Sequence, residues 1–259
     1  MTVDPNYFGT FLLCMPRIMA VLFFLPFTRN QFLPTPVRSA LLVSLAIFIA
    51  PAAHDPAFPI DSSDLFFMIA LKELAIGVMM GLVMATVFFI PQLIGDFIDN
   101  QRGASIAQIY NPSAGGEASI LGSTLNMLVA TLFLIGGGFV ALLDIIFNSY
   151  QIIGIPQMLP ADVTERAYAR FVDIFSGLIT IGVLLAAPIV FTMMLAEFGL
   201  GLVGRFVQQL QVFFLAMPIK SVIALALMIV YITVLIRIYT DHGLPFEPLR
   251  QLIDALADG

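Results

Sequence analysis

Six stretches of this chain run for fifteen residues or more with scarcely a charge. They are Tyr7 to Phe27, Ser39 to Ala53, Leu74 to Gly95, Ile120 to Leu143, Ile174 to Ala196 and Ser221 to Ile236. Arg17 is the only charged residue inside any of them. A span in contact with lipid must satisfy its own backbone hydrogen bonds, so it is either a helix or a strand of a closed barrel. None of the six alternates apolar and polar residues as barrel strands do. The expected fold class is therefore all-α. A seventh uncharged run, Ile145 to Ala161, carries Asn148, Gln151, Gly154, Pro156 and Pro160, and it reads as a bent or interfacial piece.

Composition supports a membrane setting. Apolar residues make up 60% of the chain and charged residues 11%, against about a quarter charged in an ordinary soluble domain. Mean hydropathy is +1.01. A net charge of -6 with only 11 Lys and Arg argues against nucleic acid as a partner. The single cysteine, Cys14, excludes an internal disulfide framework and a Cys-based zinc cluster. Two histidines, His54 and His242, leave little for metal chemistry. There are 24 Phe and no Trp, although Trp is a favoured anchor at headgroup level. The first residues do not read as a secretory signal. Asp4 stands where a basic region belongs, Arg17 interrupts the apolar stretch, and no small-x-small cleavage site follows.

Three features depart from an ordinary polytopic protein. Ser39 to Ala53 is 15 residues, or about 22 Å as helix, and Ser221 to Ile236 is 16, or about 24 Å; a hydrocarbon core is roughly 30 Å thick. The alternate connections carry Arg29, Arg38, Arg102, Arg205 and Lys220 on one side, and Lys72, Arg166, Arg170, Arg237 and Arg250 on the other. Five against five returns no orientation from the positive-inside rule. Pro16, Pro26, Pro91, Pro188 and Pro218 lie in or beside the apolar stretches, where each removes a backbone donor and tends to bend a helix.

Several residues stand out against this background. Arg17 in mid-stretch would cost about 2.5–3.5 kcal/mol at a bilayer centre, so it is expected to meet carbonyls or an acidic partner in a protein interior. Lys72 and Glu73 are read as opening the third helix, with Glu73 either favoured by the helix dipole or held in an intersubunit ion pair. Asp144 and Glu197 each end an apolar run. Gly77 and Gly81 form a G-x-x-x-G face that lets backbones approach closely. Gly136, Gly137 and Gly138 cost roughly 1 kcal/mol each in a helix interior, which implies a bend or a very close neighbour. Gly199, Gly201 and Gly204 imply the same before Arg205. Met79, Met80, Met84, Met193, Met194 and Met217 offer adaptable packing, as core filler or as a deformable seal.

The connection from Asp96 to Ser119 is the most informative. Asp96, Asp99 and Arg102 share a helix face, and Gly103 is suited to end that helix in the left-handed conformation. Ile106, Ile109 and Tyr110 form an apolar patch, and Asn111-Pro112 and Gly115-Gly116 supply turns. A loop of this length in a compact membrane protein is usually functional. With its backbone unpaired it cannot lie in lipid, so it either folds into a cavity or dips into the headgroups. The nucleophile elbow, the H-E-x-x-H pattern and the Walker A loop are all missing. Without a nucleotide site, any transport served here must be powered elsewhere.

These residues resemble a known family. The stretches PRIMAVLFFLPF, PTPVRSALL, the long block from Lys72 to Gly122, LFLIGGG, Ser149-Tyr150 and the segment from Ala187 to Ser221 are similar to the export-apparatus subunit of type III secretion systems, called SctT in injectisomes and FliR in flagella. The likeness runs from about Phe11 to Tyr239 and is most specific between Glu73 and Gly138. QVFFLAMPIKS looks more like the virulence branch.

The resemblance implies kinked helical hairpins packed as one subunit of a helical hetero-oligomeric pore. Its partners would be SctR-type and SctS-type subunits, the SctU and SctV export components, and unfolded secreted proteins in transit. The implied setting is the bacterial inner membrane, within the basal body and partly on its periplasmic side. Residues 1–170 would be SctR-like, 171–240 an SctS-like hairpin and 241–259 a tail. Residues 103–116 would be the plug. Ile106, Ile109 and Tyr110 would seal the lumen, Asn111 and Pro112 would shape the turn, and Gly103, Gly115 and Gly116 would act as hinges. Structural or intersubunit contacts would fall to Arg17, Glu73, Gly77, Gly81, Gly136, Gly137, Gly138, Glu197, Arg205 and Lys220. No cofactor, metal or catalytic residue is implied. A stand-alone secondary transporter, with Arg17 and Glu73 at a midplane site, and a flagellar export subunit are the alternatives. An intramembrane enzyme is disfavoured by the missing motifs.

Overall fold

The computed structural model describes residues 5–28, 33–53, 63–104, 119–157, 161–206 and 212–241. Among them there are helices and no strands, in line with the all-α expectation. The helices are α1 (Pro5–Phe24), α2 (Thr35–Ala53), α3 (Ser63–Arg102), α4 (Ile120–Ile135), α5 (Gly138–Ile152), α6 (Ala161–Phe206) and α7 (Val212–Asp241). A 3-10 turn, Pro26–Thr28, follows α1. Among the described residues five helices are long and apolar enough to cross a membrane, or six spans if the bent α4–α5 pair counts as one.

The two spans expected to be short are not short. The helix around Ser39 starts at Thr35 and has 19 residues, about 28 Å. Pro36 stands in its first turn, where the missing donor has no intrahelical partner to lose. The helix around Ser221 runs for 30 residues and continues through Pro218 and Lys220. Cutting the sequence at charges underestimated both: Arg38 lies within the first turn of the one helix, and Lys220, paired with Glu197, within the other. At 40 and 46 residues, α3 and α6 are about 60 and 69 Å long, too long for a modest tilt to fit within a 30 Å core.

Pro16, Pro51, Pro91, Pro188 and Pro218 all sit inside helices. The sharp break falls on glycine instead: α4 and α5 meet at 74°. Gly136 and Gly137 form the turn, with Gly137 at φ +77°, a conformation that costs other L-residues about 1–2 kcal/mol. Gly138 lies against Phe133, and a Cβ there would stand 2.7 Å from the Phe133 carbonyl oxygen.

The chain forms two compact units that alternate along the sequence. The first comprises the described residues up to Val87 together with Phe133–Ser176. In it, Gly77 and Gly81 of α3 face α1, and a Cβ on Gly77 would lie 2.5 Å from the Arg17 carbonyl oxygen and 2.9 Å from the Ala20 Cβ. The G-x-x-x-G face is thus occupied by a helix of the same chain. Leu13, Ile18, Val21, Leu22, Ile76 and Met80 are buried around it. Phe27 stacks on Phe133 with centroids 5.9 Å apart and meets Phe139 edge-on.

The second unit comprises Phe88–Leu132 and the described residues from Gly177 onward. Its core joins Ile94 and Ile98 of α3, Leu125 of α4, Ala186, Ile189 and Met193 of α6, and Ala224 and Met228 of α7. Here α3 and α4 cross with backbone against backbone, Gly95 on Gly122. Three of the six methionines singled out, Met80, Met84 and Met193, are core residues. Gly95→Val would force that crossing apart. Overpacking of a close-packed interior costs about 1–3 kcal/mol, and the thermal midpoint of the detergent-purified chain is expected to fall accordingly. An unchanged midpoint would show that the two backbones are not in contact.

Candidate functional site

The largest fully buried side chain of the first unit is that of an arginine. Arg17 comes from the middle of α1, and every edge of its guanidinium is occupied. Nε donates to Glu73 Oε2 at 2.7 Å. Nη1 donates to the Ser149 carbonyl at 2.9 Å and to its hydroxyl at 3.0 Å. Nη2 donates to the Ile153 carbonyl at 3.2 Å. The guanidinium lies 4.1 Å from the centroid of the Tyr150 ring, and the Tyr150 hydroxyl donates back to the Cys14 carbonyl at 2.7 Å.

Lys72 completes the cluster. Its ammonium lies 2.8 Å from Glu73 Oε1, which accepts no other hydrogen bond. The same ammonium donates to the carbonyls of Gly154, Ile155 and Gln157 at 3.1, 2.8 and 3.0 Å. Two cations therefore share one carboxylate. The remaining positive charge faces the turn that follows α5, beside the negative end of that helix's dipole. The expected placement of Lys72 and Glu73 at a helix start is corrected here. The helix begins at Ser63, because the apolar run Leu65–Ala70 precedes the two charges without a break. Glu73 acts as an internal counter-ion, and its partners belong to its own chain.

A second polar cluster lies where α3 ends. Gly103 takes φ +81° and its N–H donates to the Asn100 carbonyl at 3.1 Å, the left-handed termination expected of it. Asp99 is buried. One of its oxygens meets Arg102 Nε at 2.8 Å, and the other accepts from the Ser119 hydroxyl at 2.9 Å and the Leu121 N–H at 3.0 Å. Ser119 Oγ in turn accepts from the Gly122 N–H at 2.8 Å, as an N-cap does. A single carboxylate thus joins the end of α3 to the start of α4. Asp96, on the same face, turns the other way: Gln92 Nε2 donates to it at 3.0 Å, and Gln92 Oε1 accepts from Asn126 at 3.2 Å. Ile106, Ile109, Tyr110, Asn111, Pro112, Gly115 and Gly116 lie outside the described residues.

The remaining candidates are more exposed. Glu197 on α6 accepts from Lys220 of α7 at 3.2 Å and from Gln101 of α3 at 3.5 Å. Arg205 is exposed on α6. Gly199 and Gly201 have open space where a Cβ would stand, so no close neighbour among the described residues explains them. Among the described residues no three His, Cys, Asp or Glu side chains converge to hold a metal ion. Nothing in the sequence marks the Ser149 carbonyl as an acceptor for a residue 132 positions away.

A family model described as bacterial export proteins, family 1, matches residues 8–243. The chain belongs to this family. Yop proteins translocation protein T of Yersinia pestis is 38% identical over 224 residues, which cover 86% of this chain and 85% of that protein. Surface presentation of antigens protein SpaR of Salmonella typhimurium is 31% identical over 215 residues, 83% and 80% of the two chains. Flagellar biosynthetic protein FliR of Bacillus subtilis is 27% identical over 250 residues, 96% of each. Membership establishes the type III export-apparatus family and, with the apolar helices, a membrane-embedded protein.

Removing one member of a buried ion pair costs about 3–5 kcal/mol, because its partner is left charged and unpaired. Arg17→Met and Glu73→Leu should each lower chain accumulation in membranes and the thermal midpoint by that order. The double variant should recover only part of the loss, since Arg17 also serves the carbonyls of Ser149 and Ile153. Full recovery would mean that those carbonyl contacts contribute little.

Proposed function

We propose that this protein is the SctT-type core subunit of a type III export gate in the bacterial inner membrane. In this reading it joins SctR-type and SctS-type subunits to form a channel, meets the SctU and SctV components, and lets unfolded secreted proteins pass without performing chemistry on them. Residues 1–170 would correspond to the SctR-like part, 171–240 to the SctS-like hairpin and 241–259 to the tail, with part of the assembly on the periplasmic side. Family membership supports the assignment, and the relatives named for translocation favour the virulence branch.

The observation that carries the gating role is the carboxylate of Asp99. It ties the last turn of α3, at Arg102, to Ser119 and Leu121 at the start of α4, so the two ends between which a plug would be held are fixed to each other. Gly103 supplies the left-handed turn at one of these ends. Ile106, Ile109 and Tyr110 would seal the lumen, with Gly115 and Gly116 as the second hinge. The stand-alone transporter fares less well. Arg17 and Glu73 satisfy each other and the end of α5, which leaves neither open for a midplane substrate.

Deleting Ala104 to Ala114 should leave the complex assembled and raise its permeability to small ions in reconstituted vesicles. An assembled deletion complex with unchanged permeability would sink the plug. Native mass measurement after co-expression with the neighbouring membrane subunits tests the assembly separately. A discrete hetero-oligomer is expected, and a persistent monomer that takes up substrate on its own would favour the transporter.

A further inference from the structure

A cavity of about 340 Å³ opens in the first unit between the last turns of α1, the first turns of α2 and the middle of α3. That volume lies within the usual range of small-ligand pockets. Met19, Phe23, Leu42, Leu74 and Val78 make its wall apolar, and Arg38 stands in its lining as the one charged group. Arg38 is half-buried and, among the described residues, makes no ion pair. It also sits in the first turn of α2, at the positive end of the helix dipole, where a cation is disfavoured unless an anion joins it. The N–H groups of Val37 and Arg38 are already taken by the Pro34 carbonyl, so the guanidinium is the group left to receive an anion.

The depth of the cavity narrows the choice of ligand. Both α1 and α2 are of membrane-crossing length and apolarity, and the pocket is built where α1 ends and α2 begins. Where α1 and α2 cross a bilayer, that level is the boundary between acyl chains and headgroups, at which a lipid phosphate lies. A ligand suited to this place has an apolar tail to fill the cavity and an anion at one end for a planar, bidentate donor such as Arg.

We propose that this cavity is a binding site for an anionic phospholipid. One acyl chain lies against Leu42, Leu74 and Val78, and the phosphate rests on Arg38, which neutralises the cation at the start of α2. The exposed Phe23 flanks the chain at its upper end. The inference does not depend on the export role, because it rests on the first unit alone.

The test is native mass spectrometry of the full chain in detergent, titrated with palmitoyl-oleoyl phosphatidylglycerol or with the matching phosphatidylcholine. The expected result is a one-lipid adduct with phosphatidylglycerol at least about tenfold tighter than with phosphatidylcholine, a difference of about 1.4 kcal/mol. Arg38→Gln should abolish that preference, Arg38→Lys should keep most of it, and Val78→Phe should weaken both adducts by filling the cavity. Circular dichroism checks that each variant keeps its helix content. Equal binding of the two lipids by the unaltered chain overturns the proposal whatever the variants do. So does soluble glycerol phosphate competing as well as the whole lipid, which would mean that the cavity contributes nothing. If a neighbouring subunit fills the cavity instead, the assembled complex loses the adduct that the free chain shows, and the lipid site is overturned as a feature of the working assembly.

Discussion

A buried cation with a buried counter-ion organises the first unit of this protein. Arg17 has no access to water, so its charge must be balanced by protein groups or the helices around it cannot close. Three separated parts of the chain supply the balance: Glu73 from α3, the carbonyls at the end of α5, and the face of Tyr150. Each contact has a direction, so the register of α1 against α3 and α5 is set to within a hydrogen bond. Apolar packing alone would tolerate a slide of one turn between such greasy helices. Lys72 extends the arrangement to the turn after α5 by binding three of its carbonyls.

The glycines act on the same interfaces from the other side. Gly77 and Gly81 allow α1 to approach α3 closely enough for Arg17 to reach Glu73. In the second unit Gly95 and Gly122 bring α3 and α4 into backbone contact, and this close crossing is where Asp99 reaches Ser119 and Leu121. In both places small residues set a short distance and a buried carboxylate uses it. Without a hydrophobic drive between helices in lipid, close packing and interhelical polar contacts are what remains to hold them together.

Much of this was legible in the sequence. The helical class followed from the charge-poor stretches, the bend from Gly136 to Gly138, and the left-handed stop from Gly103. Arg17 was marked as needing an acidic or carbonyl partner simply because it was expensive where it stood. What could not be read was the identity of those partners. In the sequence Lys72 and Glu73 have the pattern of a helix start, and nothing there distinguishes it from a charge pair inside a helix that is balanced by Arg17. Ser149 and the turn after α5 contribute mainly through backbone carbonyls, which every residue has. Arg38, Lys72 and Lys220 each lie within a helix and not at its end, so a charge by itself marks no helix boundary.

Spending the intramembrane charges inward has a consequence for the outer surface. With Arg17, Glu73 and Asp99 buried and paired, the outward faces of the helices are left to apolar side chains such as Phe8, Phe48, Phe67, Ile135 and Leu184, all largely exposed. Such a surface is suited both to lipid and to the apolar helices of other subunits, and the charges left on it, such as Asp144 on α5 and Arg170 and Asp173 on α6, are sparse. Discrimination must then come from shape and from these few polar groups. Arg38 at the start of α2 and the half-exposed Glu197 beside Arg205 on α6 are groups of this kind. The high apolar content marks the protein as a membrane resident, while these sparse polar groups are where it can tell one apolar neighbour from another.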